Sequence, residues 1–347
     1  MIKNINKKNI IFIIIIFNII LIILFWFNSN LNETTITNKH KLIDSNVNKS
    51  LNQLIKRINL QNLTKINTDN FKFLIHSNSC IQSKTIFLTF TVFTRVESFQ
   101  RRQIIRDLWS IYSIKFKIKF IFIFMIGMSM NETLNKMVKN ESKLFGDIVQ
   151  ENFIDTYYNL TYKTIMSLKW IGKYCSNSVY TMKIDDDVVV NFKYLIDYLK
   201  QIDKLSNSSV ICLQCGGGIV DRNVDSKYYV PLYEYASLRY PYYCAGPAYT
   251  YPTHLANYLY EISEYVKYLR IEDAYFGLLM EKLKEEKIQN ITINNIIEKY
   301  NEIYPKGSFQ QKDYFDNKKH YFFHFHIDDI VHYSFIFNKL NRFENDT

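Results

Sequence analysis

What this 347-residue sequence lacks narrows it first. It has no nucleic-acid-binding motif. Its net charge is +10, but the Lys and Arg are scattered through apolar segments instead of lining one face, which argues against a nucleic-acid partner. The run Gly216-Gly217-Gly218 is not followed by Gly-Lys-Ser/Thr, so it reads as a tight turn and not as the phosphate loop of a nucleoside triphosphatase. Cysteine is scarce, with five residues at 80, 175, 212, 215 and 244. The odd number leaves at least one unpaired within the chain, and spacing does not reveal which pair. Cys212-x-x-Cys215 has no second ligand pair nearby, so it is a weak zinc or redox signal.

The N-terminus has what the rest lacks, a long apolar run. Ile10 to Phe27 is interrupted only by Asn18 and, at ~1.5 Å per residue, nearly spans a ~30 Å hydrocarbon core. Lys3, Lys7 and Lys8 precede it and no Lys or Arg follows until Lys39, which leaves the N-terminus in the cytosol and the remainder outside it. No small-residue cleavage site follows. The bulky Leu24-Phe25-Trp26-Phe27-Asn28 favours an uncleaved signal-anchor over a cleaved signal peptide. The expected organisation is a cytosolic tail over 1–9, an anchor over 10–27, an Asn-, Thr- and Lys-rich stem over 28–83 and one domain over 84–347. Hydrophobic residues at 48 % leave that domain ample core. Sequons at Asn32, Asn48, Asn62, Asn131, Asn140, Asn159, Asn207 and Asn290 suit a lumenal setting.

Within the domain, strand and helix patterns alternate. Strands are expected over Thr85–Thr94, Lys117–Ile126, Asp147–Gln150, Val179–Ile184 and Val210–Cys215, and helices over Glu97–Ile111, Glu132–Leu144, Tyr157–Tyr174 and Phe192–Leu205. That order predicts an α/β fold with a mainly parallel sheet flanked by helices, whose ligand sits beyond the carboxyl ends of the strands. The second half is less regular. Tyrosines crowd before Gly246, and most belong to core or rim, though a ring face also suits stacking on a sugar. A helix is expected over Thr253–Leu269, a strand over Tyr321–His326 and a final helix over Asp328–Asn341.

Two acidic groups stand out. Asp185-Asp186-Asp187 interrupts a run of strand formers, and each pair of neighbouring charges repels by roughly 1–4 kcal/mol near a surface. A plain turn would carry Gly, Asn or Pro. Here the apolar pattern resumes at once with Val188-Val189-Val190, which favours a divalent cation site of hard oxygen ligands suited to Mg²⁺ or Mn²⁺. Glu272-Asp273 opens a helix, where the choice between helix capping and chemistry stays open.

The segments Arg101–Trp109, Phe124–Gly127, Gly146–Thr164, Lys183–Asp187, Tyr240-Pro241-x-Tyr243-x-x-Gly246-x-x-Tyr249 and Glu272-Asp273 fall in the order and spacing of a known family. Over roughly residues 84 to 335 the chain resembles the β-1,3-galactosyltransferase family (glycosyltransferase family 31). That resemblance implies a GT-A-like (Rossmann-like) fold, preceded by an N-terminal transmembrane helix and stem, in a single-pass type II protein of the Golgi membrane. It implies inverting transfer of galactose, or N-acetylglucosamine, from a UDP-sugar to a hydroxyl of a glycan acceptor on glycoprotein or glycolipid. By resemblance Asp187 binds Mn²⁺ (or Mg²⁺), completed by His326 with His324 as the fallback. Asp185 or Asp186 holds the ribose or a water ligand, beside Gly246. Arg102 and Arg106 pair with the uracil end or the phosphates, or else are surface partners. Asp273 is the catalytic base, with Glu272 its neighbour. Ala274 stands where the family has Val, and Leu278 and Leu279 where it has a Cys, so a family disulfide is absent or rerouted. The alternative is an inactive, membrane-anchored relative that binds carbohydrate, against which the intact Asp187 and Asp273 argue.

Overall fold

The computed structural model describes residues 63–67, 71–116, 118–202, 209–289, 291–295, 300–303, 322–325 and 334. The apolar run 10–27 therefore lies outside the described residues, among which no helix is long and apolar enough to cross a membrane. His326 and all but residue 334 of the expected final helix lie outside them too.

The elements, in chain order, are β1 (Phe73–Ile75), β2 (Ile86–Phe93), α1 (Phe99–Phe116), β3 (Phe120–Met128), α2 (Glu132–Phe145), β4 (Ile148–Ile154), a short 3₁₀ turn (Tyr157–Asn159), α3 (Leu160–Tyr174) and β5 (Ser178–Asp185). After these come β6 (Val188–Val190), α4 (Phe192–Ile202), β7 (Ser209–Cys215), β8 (Tyr243–Pro252), α5 (Leu255–Ser263), α6 (Glu272–Glu285), β9 (Thr292–Asn295), β10 (Tyr300–Ile303) and β11 (Phe322–Phe325). Local chemistry sets several boundaries. Helix α2 starts where the Asn131 side chain accepts from the Thr133 N–H at 2.9 Å, and it ends at Gly146, whose φ of 69° lets its N–H turn back to the Ser142 carbonyl.

Eight strands form one sheet in the order β1-β4-β3-β2-β5-β8-β7-β9. Its centre, β4-β3-β2-β5, is parallel, while β8 runs antiparallel between β5 and β7. From β2 the chain winds outward through β3 and β4, then returns to lay β5 on the opposite side of β2. The sheet thus has a switch point between β2 and β5, where a crevice opens at the carboxyl ends. Asp185 closes β5 at that place.

Side-chain alternation divides the two faces. Leu88, Phe90 and Val92 of β2 and Tyr180, Met182 and Ile184 of β5 join a core with Ile105 and Trp109 of α1, Val138 of α2 and Phe192 of α4. Trp109 meets Phe90 and Phe192 edge-on at 4.8 and 5.5 Å, and buried aromatic area of this kind dominates core energetics. The intervening residues, Thr89, Thr91, Phe93, Thr181, Lys183 and Asp185, face the other layer. There α3 packs against α5 and α6. The second face is unusually polar for a buried sheet.

Two expectations change, the stem and the length of one helix, and two features appear that the sequence left open. The stretch up to Ser83, expected as stem, supplies β1, which pairs with β4, and the buried Cys80, which is bonded to Cys175. The folded unit accordingly starts at Leu63. A second disulfide joins Cys212 to Cys244, leaving Cys215 free, so the pairing that spacing left open is resolved by proximity in the fold. Strand β8 was not foreseen, because Gly246 and Pro247 weaken a strand pattern. Helix α5 stops at Ser263 instead of near Leu269. The carbonyls of Ser263, Glu264 and Val266, which would have fed further helical bonds, accept from Ile66 and Asn67.

Candidate active site

A cavity of about 460 Å³ opens at the switch point, lined on its polar side by Lys183, Asp185, Gly246, Glu272 and Asp273. Three elements deliver these groups: β5 brings Lys183 and Asp185, β8 brings Gly246, and the first turn of α6 brings the acidic pair.

Lys183 is the hub. Its side chain is 4 % exposed, and its ammonium bonds Asp185 at 2.8 Å, pairs with Glu272 at 3.5 Å and donates to the Gly246 carbonyl at 2.5 Å. Phe93 lies 4.7 Å beneath the cation, adding a cation–π contact. Burial works to lower the Lys183 pKa, but Asp185 and Glu272 outweigh it and hold it above the ordinary lysine value. The sequence reading passed over this residue. Lys183 opens the motif Lys183–Asp187, but as a lysine within a buried strand it carried no expected role.

The triplet does not act as one cluster. Successive side chains on an extended backbone point to opposite faces. Asp185 turns to the cavity and Lys183, and its pKa is pushed up by burial and by Asp187 while Lys183 pulls it down. Asp186 turns away. It accepts from the Thr94 hydroxyl at 2.7 Å and lies near Arg101, whose guanidinium donates to the Asp186 carbonyl at 3.3 Å. Asp186, expected to hold nucleotide, is therefore bonded to the end of β2. Asp187 follows at the turn into β6, whose partner β11 aligns His324 with Val188. Among the described residues no three His, Cys, Asp or Glu side chains converge to hold a metal ion.

Arg102 and Arg106 are not at the cavity. Arg102 is fully buried; its guanidinium clasps Glu141 at 2.9 and 2.7 Å and donates to the carbonyls of Arg95 and Val96. Arg106 forks onto Asp147 at 2.7 and 2.9 Å and pairs with Glu141 at 2.8 Å. Arg102 therefore fastens α1 to α2, and Arg106 fastens it to α2 and to the start of β4, with both forks matched to carboxylates. Neither carboxylate partner was recognisable in the sequence as such.

The acidic pair also divides its duties. Glu272, expected beside the base, is buried and has both oxygens committed: one accepts from Thr164 at 2.5 Å and Tyr249 at 2.8 Å, and the other faces Lys183. These bonds hold the start of α6 to α3, β5 and β8 while Glu272 still lines the cavity. Asp273 faces the cavity and accepts from the Gly246 N–H at 3.2 Å and the Ala274 N–H at 2.8 Å. Burial raises its pKa to about 6, repulsion from Glu272 adds to the rise, and the two backbone donors restrain it. Gly246 explains itself here, since a Cβ at that position would lie 3.3 Å from the Asp273 carboxylate. The same cavity is also lined by Tyr157, Tyr228, Tyr240 and Tyr243. The arrangement offers a carboxyl group whose proton affinity suits exchange near neutrality.

Residues 100–331 match the family model described as Galactosyltransferase. The chain is 36 % identical over 231 residues to beta-1,3-galactosyltransferase 1 of Mus musculus and of Homo sapiens, covering 66 % of this chain and 71 % of those. It is 34 % identical over 225 residues to beta-1,3-galactosyltransferase 2 of Homo sapiens, covering 64 % of this chain and 53 % of that one. Among solved structures, a glycosyltransferase involved in the glycosylation of the major capsid of PBCV-1 aligns over 73 % of this chain and 99 % of its own, at TM-score 0.39 and 9 % identity.

Proposed function

From the premise that the chain belongs to the galactosyltransferase family, we propose that it transfers a hexose, galactose or N-acetylglucosamine, from a UDP-sugar to a glycan hydroxyl, with inversion and a β-1,3 linkage. The carrying observation is Asp273, a cavity-facing carboxyl with a raised pKa held by Gly246 and Ala274. In the step proposed, the acceptor oxygen bonds to the anomeric carbon as the bond to the diphosphate breaks, UDP departs, and the hydroxyl proton passes to Asp273. Lys183 keeps Asp185 and the Glu272 anchor in fixed relation, and Gly246 leaves room for Asp273 to approach.

The donor chemistry of Asp187, with Asp185 beside it, fits a hard divalent cation such as Mn²⁺ or Mg²⁺, since both are carboxylates and the charge of Asp187 raises the pKa of Asp185. His326, the remaining ligand in this reading, lies outside the described residues. When bound, such an ion neutralises charge on the departing diphosphate. The run 10–27, preceded by Lys3, Lys7 and Lys8, supports a type II anchor with the domain lumenal, and the Golgi membrane is the setting the family resemblance implies. The GT-A reading is supported by the parallel β4-β3-β2-β5 core and its switch point. A panel of UDP-sugars assayed for hydrolysis and transfer tests the function: activity is expected with UDP-galactose or UDP-N-acetylglucosamine, lost on chelation and restored by Mn²⁺. Inertness toward the whole panel, or full activity of Asp187→Ala in excess chelator, would overturn this reading or its metal.

A further inference from the structure

Between β7 and β8 the chain leaves the sheet for residues 216–242, and this excursion faces the cavity through Gly218, Ile219, Asp221, Tyr228 and Tyr240. Apolar burial contributes little to holding it there. Its buried apolar side chains are Val220, Val230 and Pro231, whereas Ile219, Val224, Leu232, Tyr233, Leu238 and Tyr242 are exposed. The frame is polar instead: Arg222 donates to the carbonyls of Val230, Tyr235 and Ser237 at 2.6, 2.7 and 2.9 Å.

One buried side chain ties this excursion to the acid side of the cavity. Glu234, with its side chain 9 % exposed, accepts from the Arg270 backbone N–H at 2.6 Å and from the Arg270 guanidinium at 2.8 Å. Lys267 adds a bond to the Tyr233 carbonyl. Arg270 sits three residues before Asp273 and lies over the Tyr158 ring at 5.5 Å. Charge-assisted bonds of this geometry are roughly twice as strong as neutral ones.

We propose that residues 216–242 form the acceptor wall of the cavity and that Glu234 is the positioning residue that sets the wall, acting through Arg270. Tyr228 and Tyr240 line the cavity with aromatic surface suited to the apolar C–H side of a saccharide, Tyr240 being braced by stacking on Tyr235, and Asp221 offers a carboxylate to its hydroxyls. This inference rests on the glycosyl-transfer reading. Asp273 and Glu272 are held by other partners, namely Gly246, Ala274, Thr164, Tyr249 and Lys183, so loosening the wall spares the acid side.

The test uses full-length protein carrying Glu234→Gln or Glu234→Ala. Three quantities are measured: amide hydrogen exchange over 216–242, UDP-galactose hydrolysis by water, and transfer to the p-nitrophenyl glycoside that the wild type uses best. Exchange in the wall is expected to quicken and the acceptor KM to rise about tenfold, with hydrolysis and UDP affinity within about twofold of wild type. Unchanged exchange overturns the tie. Faster exchange with an unchanged acceptor KM overturns the wall as an acceptor site, and hydrolysis falling in step with transfer assigns Glu234 to the acid side instead. A wild type inert toward every UDP-sugar defeats the transfer reading itself, and the wall with it, before any variant is made.

Discussion

Replacing Lys183 by Met removes one ammonium from the centre of the site. Asp185 loses a partner at 2.8 Å, Glu272 loses one at 3.5 Å, and the Gly246 carbonyl loses its donor. Breaking a buried ion pair from one side costs about 3–5 kcal/mol, because the orphaned charge stays in the interior. The Asp185 side chain is 35 % exposed, so water screens part of its share and the lower end of that range applies. At about 2–4 °C per kcal/mol for a unit of a few hundred residues, Tm falls by roughly 6–12 °C near neutral pH.

The pH dependence carries a sign. Because the folded pKa of Lys183 is held above its unfolded value of 10.5, its contribution is fully present below that value and fades only as pH rises through the folded pKa. From about pH 5 to 8 the lysine itself stays protonated, so any slope of the wild type over that range comes from its carboxylate partners, chiefly Asp185, whose pKa burial pushes up to about 7. In Lys183→Met the abandoned carboxylates gain by taking up protons, so the deficit shrinks as pH falls toward about 5. The double variant Lys183→Met/Glu272→Gln removes one of the two orphaned charges and recovers part of the loss. Thermal melts followed by circular dichroism at both pH values provide the measurement. A single variant within about 2 °C of wild type near neutral pH, or a deficit that grows on acidification, refutes the reasoning.

Asp273→Asn is expected to lower kcat by ~10²–10⁴ while UDP affinity stays within a few-fold. In the parent, kcat/KM climbs as pH rises to about 6 and levels above it, since the base must be deprotonated, and that break vanishes in the variant. Loss of UDP binding with turnover kept at saturation would assign Asp273 to donor binding instead. In sealed vesicles the domain beyond residue 28 should resist added protease until detergent is present, and its digestion in intact vesicles contradicts the type II orientation.

Periodic patterns, which need only neighbours along the chain, made the strand–helix alternation from β2 to β7 legible. The spacing of Lys183–Asp187 and Glu272-Asp273 within an ordered set of motifs identified the family. The N-terminal segment β1 and strand β8 were missed in part for a shared reason, added in β8 to the weak local pattern at Gly246 and Pro247. Each is a strand by virtue of a partner far away in sequence, β4 for the first, β5 and β7 for the second.

At the site, the residue types and their chain order were determined by sequence alone. Their duties were decided by tertiary structure, because the direction of a side chain and the identity of its partner are long-range facts. Arg102 and Arg106 had phosphate-binding chemistry on paper, but Glu141 and Asp147 lie within bonding distance only once α1 packs beside α2. Asp185 and Asp186 are chemically identical neighbours, yet strand pleating turns one to Lys183 and the other to Thr94. Glu272 and Asp273 likewise part because one turn of α6 points the first at Thr164 and Tyr249 and the second at Gly246. Carboxylates adjacent in sequence, all equally able to ionise in water, become a buried partner of Thr164 and Tyr249, an acceptor for Thr94 or a candidate base according to the groups and the water each one meets after folding.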